Sequence, residues 1–87
     1  MQKGTLWEIR FWVWNPTREE YERDAENYLV YRDYHIAKEM YDAFTPTNSN
    51  PQIELWKAEM EPTEDGGVEK WSERVSYKDS TGTYADE

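Results

Sequence analysis

Apolar residues alternate with polar ones through Leu6-Trp7-Glu8-Ile9-Arg10-Phe11-Trp12-Val13-Trp14. That is the period of two a β-strand imposes, because successive side chains leave the strand on opposite faces. Trp7, Ile9, Phe11 and Val13 make one wholly apolar face. Glu8, Arg10, Trp12 and Trp14 make the other, which begins charged and ends in two tryptophans. Asn15-Pro16 stops the strand, since proline lacks a ladder donor and Asn-Pro favours a turn.

The segment from Thr17 to Asn27 supports two readings. Thr17 and Glu20 have capping-box spacing, and Tyr21, Ala25 and Leu29 recur every fourth residue, which allows one long helix from Arg18 to Phe44. Tyr28-Leu29-Val30-Tyr31 is instead a compact β-rich run, and Asp33 is a natural N-cap before Tyr34-His35-Ile36-Ala37-Lys38-Glu39-Met40-Tyr41-Asp42-Ala43-Phe44. The preferred reading is a long acidic connection, a second strand over residues 27–32 and a helix over 34–44. On that helix Ile36, Ala37, Met40, Ala43 and Phe44 share a face at spacings of three and four. Thr45-Pro46-Thr47-Asn48-Ser49-Asn50-Pro51 then ends it.

Residues 52–60 read as a third strand, with Ile53 and Leu55 on one face and Trp56, Ala58 and Met60 on the other. Asp65-Gly66 supplies the positive φ of a tight hairpin. Residues 68–78 return as a fourth strand with Trp71, Val75 and Tyr77 on one face. The expected fold is therefore α+β, a small antiparallel sheet with one helix on one face in the order ββαββ; the alternative is a strand, one long helix and a β-hairpin. The inward set is Trp7, Ile9, Phe11, Val13, Ile36, Met40, Phe44, Ile53 and Leu55. Residues 1–78 form a single domain, and 79–87 a flexible acidic tail.

Composition sharpens this picture. Eighty-seven residues bury roughly two-thirds of the surface their unfolded chain exposes. Five Trp and seven Tyr must supply much of the core volume. The absence of cysteine excludes disulfides and thiolate metal sites. No apolar run has the length of a membrane span, and the N-terminus lacks the apolar segment of a signal peptide, so the expectation is a cytoplasmic protein. Ten Lys plus Arg against nineteen Asp plus Glu give a net charge of −9, which disfavours direct binding to nucleic acid and favours basic partners.

Two acidic clusters stand out: Glu19, Glu20, Glu22, Asp24 and Glu26, diluted only by Arg23, and Glu59, Glu61, Glu64 and Asp65 with no base among them. In loops these are either solvated charge or a mimic of spaced phosphates that occupies a basic groove. Trp12, Trp14 and Trp56, with Met60, share a face opposite the helix if the first and third strands are neighbours. That face is either a binding surface with large aromatic anchors or a second small core. His35 is the only histidine, and no Gly-x-Ser-x-Gly elbow, calcium loop or phosphate-cradling glycine loop occurs. Paired carboxylates need a pocket that separates their pKa values to do acid–base work, so no enzyme is expected.

In size, acidity and lack of catalytic motifs, the chain resembles the small phage and mobile-element proteins that block host defence, of the anti-CRISPR and anti-restriction type. The resemblance is one of overall character. It implies a protein that inhibits a nuclease or CRISPR effector by occupying its basic groove, in the host cytoplasm if phage-encoded. The contacts would be Glu19, Glu20, Glu22, Asp24, Glu26, Glu61, Glu64 and Asp65, anchored by Trp12, Trp14 and Trp56. The alternative is a small regulatory or structural module, monomeric or homodimeric, binding through a Trp-rich sheet face. No metal or cofactor is expected in either case, so the melting temperature is predicted to be the same with and without a chelator; a sharp drop would reveal a structural metal.

Overall fold

The computed structural model describes residues 4–85. Along the chain lie β1 (Gly4–Asn15), β2 (Glu20–Tyr31), α1 (Tyr34–Ala43), β3 (Ile53–Pro62), β4 (Val68–Asp79) and β5 (Gly82–Ala85). The strands form one sheet in the order β2-β1-β3-β4-β5, with every neighbouring pair antiparallel. Strands account for 61% of the described residues and the helix for 12%, so the protein is mainly β. This corrects the α+β expectation. The order ββαββ holds as far as β4, and within the segment 79–87, expected to be a flexible tail, Gly82–Ala85 pair with β4 as β5, while residues 86–87 lie outside the described ones.

The second correction concerns the acidic segment. It is neither a loop nor a helix but the first half of β2, which is twice as long as expected. The capping-box spacing goes unused because Asn15 acts first: its Oδ1 accepts from the backbone N–H of Thr17 at 3.0 Å and of Arg18 at 3.3 Å. Glu19, with φ at 53°, takes the left-handed conformation that closes the turn. Trp14 then meets Tyr21 edge-on at 5.0 Å across the two strands. A cross-strand aromatic pair of this kind stabilises a sheet and outweighs the weak helical periodicity.

One helix covers one face. Asp33 Oδ1 accepts from the N–H groups of His35 (2.8 Å) and Ile36 (3.3 Å), the N-cap read from sequence. Lys78 on β4 donates its ammonium to the Tyr41 carbonyl, bringing to the helix C-terminus a positive charge its own last turn lacks. Ile9, Ala37, Tyr41, Ile53 and Leu55 are buried together, with Trp7, Phe11, Leu29, Tyr31, Phe44 and Val75 packed around them. Tyr34 lies against Trp7 at 4.6 Å, and Phe44 meets Phe11 edge-on at 5.2 Å, pinning both ends of the helix.

Ile36 and Met40 do not belong to that core; they are 49% and 38% exposed. The helix turns its Ala37–Tyr41 edge to the sheet, about 80° from the expected centre of the face. Aromatic pinning at Tyr34 and Phe44 and the Lys78 contact at Tyr41 set this rotation. Val13 is only half-buried, beyond the helix. A register shift in β4, between the partners of Leu55 and Trp56, leaves Val75 on the core and Tyr77 opposite Glu54 on the other face. Trp71, Val75 and Tyr77 therefore do not share one face.

Two substitutions test this packing. Leu55→Ala is expected to cost about 2–5 kcal/mol in chemical denaturation, as a fully buried leucine does. Ile36→Ala is expected to change stability by about 0.5 kcal/mol or less. Equal losses at the two positions would mean the helix faces the sheet differently.

Candidate functional site: the helix-free face and its acidic edge

The register decides which side chains share the uncovered face. Glu8 pairs with Trp56 and Arg10 with Glu54, while Trp56 pairs with Arg74 and Met60 with Lys70. Trp12 and Trp14 follow on β1 opposite Arg23 and Tyr21 of β2. The expected grouping of Trp12, Trp14, Trp56 and Met60 on one face is thus present, but cations stand among the rings.

At its centre Glu54 is fully buried, with 0% exposure. Its Oε1 accepts from the Trp56 indole N–H at 3.0 Å and faces Arg23 Nε at 3.0 Å. Its Oε2 accepts from Gln52 Nε2 and Arg74, each at 3.0 Å. Arg23 comes from β2 and so spans β1 to reach β3. Burial alone would raise the Glu54 pKa. The Trp56 and Arg74 hydrogen bonds, the nearby Trp12 indole and the Arg23 charge outweigh it, and the pKa is lowered. The Trp12 N–H itself is buried with no hydrogen-bond partner among the described residues.

Glu8, also buried, repeats the arrangement one strand over. Arg10 donates to its Oε2, with Nε at 3.1 Å, and Lys70 reaches its Oε1 at 3.2 Å. Burial again opposes ionisation, and the Arg10 and Lys70 contacts reverse that effect to lower the pKa. Above the carboxylates the guanidiniums cap the indoles: Arg10 lies 4.3 Å and Arg23 4.8 Å from the Trp56 ring centre, and Arg23 5.9 Å from that of Trp12. Trp12 and Trp56 are therefore parts of a charged network, Trp56 through its N–H and its ring and Trp12 through its ring.

Trp14 is different. It and Tyr21 are 47% and 48% exposed. The pairing of β3 with β1 runs out at Phe11, extended only by the Trp12 N–H to the Gln52 carbonyl at 2.9 Å. Beyond that point β1 and β2 continue as a two-stranded ribbon from Val13 to Glu22. Trp14 and Tyr21 lie on one face of the ribbon. Glu20 and Glu22, opposite Asn15 and Val13, lie on the other, and Glu19 is in the tip. Arg18 stands 3.9 Å from Glu20 and 3.8 Å from Glu22, and Asn15 donates to Glu22 at 2.9 Å. One exposed arginine leaves the tip with excess negative charge.

The remaining acidic residues serve other ends. Asp24 accepts from the backbone of Glu26 and Asn27 and from the Asn27 side chain, organising an irregularity in β2. These hydrogen bonds, led by that of the Asn27 side chain, lower its pKa. Glu26 follows on the exposed edge. Glu61 is the next-to-last residue of β3, while Glu64 and Asp65 sit in the β3–β4 turn, where Asp65 accepts from the Gly67 N–H at 3.1 Å. β1 runs antiparallel to β3, with Gly4 opposite Met60. That turn is consequently at the far end of the sheet from Glu19, about 40 Å away for a 12-residue strand. The two clusters do not form one patch.

Sequence reasoning missed the pair Glu8 and Glu54 and their four cations. The signal was in the alternation that puts Glu8 with Arg10 and Glu54 with Trp56, but strand pairing was needed to bring Arg23, Lys70 and Arg74 across. Among the described residues no group of three or more His, Asp or Glu side chains is placed to hold a metal ion. Among the described residues no helix is long and apolar enough to cross a membrane. No protein-family model, curated protein or solved structure matches the chain.

The lowered Glu54 pKa has a definite sign. A carboxyl that is more acidic folded than unfolded adds stability above its unfolded pKa, about 4.3, and loses that contribution as pH falls through the folded value. Stability measured by denaturation should fall below about pH 4.5 in the wild type and less steeply in Glu54→Gln. Glu54→Ala, which removes the shared acceptor of Arg23, Arg74 and the Trp56 indole N–H, is expected to cost about 3–5 kcal/mol at neutral pH. Parallel pH profiles for wild type and Glu54→Gln would remove Glu54 from this role.

Proposed function

We propose that this protein is a non-catalytic binding protein that inserts its β1–β2 ribbon into the basic groove of a nucleic-acid-binding partner. The observation that carries this reading is the ribbon itself. It projects past the end of β3 with carboxylates on one face and the half-exposed Trp14–Tyr21 pair on the other. A protrusion so arranged fits a cleft lined by Lys and Arg on one wall and apolar on the other. Glu19, Glu20 and Glu22 supply attraction, and Trp14 supplies the apolar anchor.

The partner class follows from charge. A groove built to hold phosphates attracts a body of net charge −9 and accepts carboxylates where phosphates would lie. Asp24 and Glu26 continue the acidic edge along β2. Glu61, Glu64 and Asp65 make a second contact only in a groove about 40 Å long, roughly 12 base pairs of duplex. A nuclease or CRISPR-type effector offers such a groove, and inhibition follows from exclusion of the nucleic acid. The place of action is then the cytoplasm, the host's if the protein is phage-encoded. Trp12 and Trp56 support the ribbon from within the charged network and do not meet the partner. That weakens the rival account, an interaction module held by the Trp-rich face.

Reversing Glu19, Glu20 and Glu22 to Lys is expected to slow association about tenfold or more and flatten its salt dependence, with the circular dichroism unchanged. Trp14→Ala is expected to act chiefly by speeding dissociation. DNA or RNA should compete with the wild type for its target. If the triple reversal binds and inhibits as well as wild type, and nucleic acid does not compete, the groove reading is wrong.

A further inference from the structure

We propose that the cleft beneath the β2 irregularity binds a small phosphate monoester carried on a planar ring, as in a nucleoside monophosphate. Between the pairs Arg10–Tyr28 and Trp12–Arg23, four residues of β2 stand against Phe11 alone. The extra chain, residues 24–27, is held out by the Asp24 side chain. The gap is an open cleft of about 350 Å³ lined by Glu8, Arg10, Arg23, Asp24, Ala25, Tyr28 and Lys70. That volume is within the range of small-molecule sites, about 300–1,000 Å³.

The cleft is cationic in a protein that is otherwise acidic. Arg10, Arg23 and Lys70 line it against the carboxylates of Glu8 and Asp24, so one positive charge remains in excess. A guanidinium has five N–H donors. Arg10 commits Nε and one terminal nitrogen to Glu8, and Arg23 commits Nε to Glu54. The donors these contacts do not use, Arg10 Nη1 and the terminal nitrogens of Arg23, are suited to bidentate phosphate binding.

The guanidiniums are also preorganised. Each is fixed by a buried carboxylate below and the Trp56 ring beside it, so little side-chain entropy is lost on binding. Of the two opposing charges, Glu8 is engaged by Arg10 and Lys70, and the oxygens of Asp24 are occupied by the amides of Glu26 and Asn27. Tyr28, 50% exposed on the cleft wall, offers a free ring for a planar group. A long polyanion is disfavoured by the acidic β2 edge, which a single mononucleotide does not have to cross.

Trp56 lies beside both arginines and Trp12 beside Arg23, so tryptophan fluorescence titration with AMP, adenosine and inorganic phosphate reads the site directly. AMP is expected to saturate, with phosphate weaker and adenosine weaker still. Arg23→Gln and Tyr28→Ala should each weaken AMP about tenfold or more, and Arg18→Gln, on the ribbon tip, should not. Tyr28 is an exposed edge residue, so Tyr28→Ala tests the site even if Arg23→Gln fails to fold. Absence of saturation by AMP up to about 1 mM, or unchanged affinity in Tyr28→Ala, overturns the proposal. Adenosine binding as tightly as AMP overturns its anionic part, and phosphate binding as tightly as AMP its planar part. Because Glu19, Glu20 and Glu22 lie outside the cleft, failure here leaves the ribbon reading standing, and the reverse also holds.

Discussion

Glu54 is the constraint on which the uncovered face depends. A carboxylate with no solvent exposure on a central strand must be compensated, because burying an unpaired charge costs several kcal/mol. The compensation comes from three strands: Arg23 on β2, Gln52 and Trp56 at β3, and Arg74 on β4. These bonds fix more than a charge. They draw the edge strand β2 over β1, hold the Trp56 ring in place and set which guanidinium donors remain outside. The helix side is held differently, by apolar packing around Tyr41 and the Lys78 ammonium, which lies 4.6 Å from the Tyr41 ring centre. Burial lowers the Lys78 pKa, the largest influence on it, so this ammonium is retained against a desolvation cost.

A sheet with one apolar and one ionic face solves a problem of supply. Leu, Ile and Val are too few to build two cores, and a single ten-residue helix covers only part of one face. The other face is instead sealed by long amphipathic side chains, whose guanidiniums lie over the Trp56 indole and the Tyr77 ring. This arrangement lets a five-stranded sheet be stable without a second layer. It also leaves polar groups at the surface in fixed positions, which a wet apolar face would not.

The parts of the fold legible in the sequence were those with a strict local pattern. The alternation of β1, the Asp33 cap, the break at Pro46 and the Asp65-Gly66 turn, where Gly66 has φ of +87°, all appear as read. What was illegible depended on partners distant along the chain. β2 looked like a loop or a helix because its own residues, Glu20 to Asn27, are poor strand formers. It is a strand because β1 offers Trp14 to Tyr21 and because Glu54 binds Arg23. The helix rotation likewise followed from Trp7, Phe11 and Lys78, none of them on the helix. At the site, the acids and tryptophans were visible as residue types. Their sorting into ribbon tip, sealed network and far turn required the register.

The acidic edge has a second physical reason to exist, and the two reasons are compatible. β2 is a 12-residue edge strand, a length that invites pairing with another chain. Negative side chains along it repel a second copy of the same strand, and the Asp24 irregularity breaks its ladder. The opposite edge is protected by brevity, since β5 has only four residues. Repulsion between copies therefore accounts for acids spread along the strand, but it does not require them at a turn. Glu19 is in that turn, in a left-handed conformation that asparagine or glycine would adopt at less cost. Extra charge at the tip, placed where edge protection gains nothing from it, is what a surface selected for a basic partner would retain.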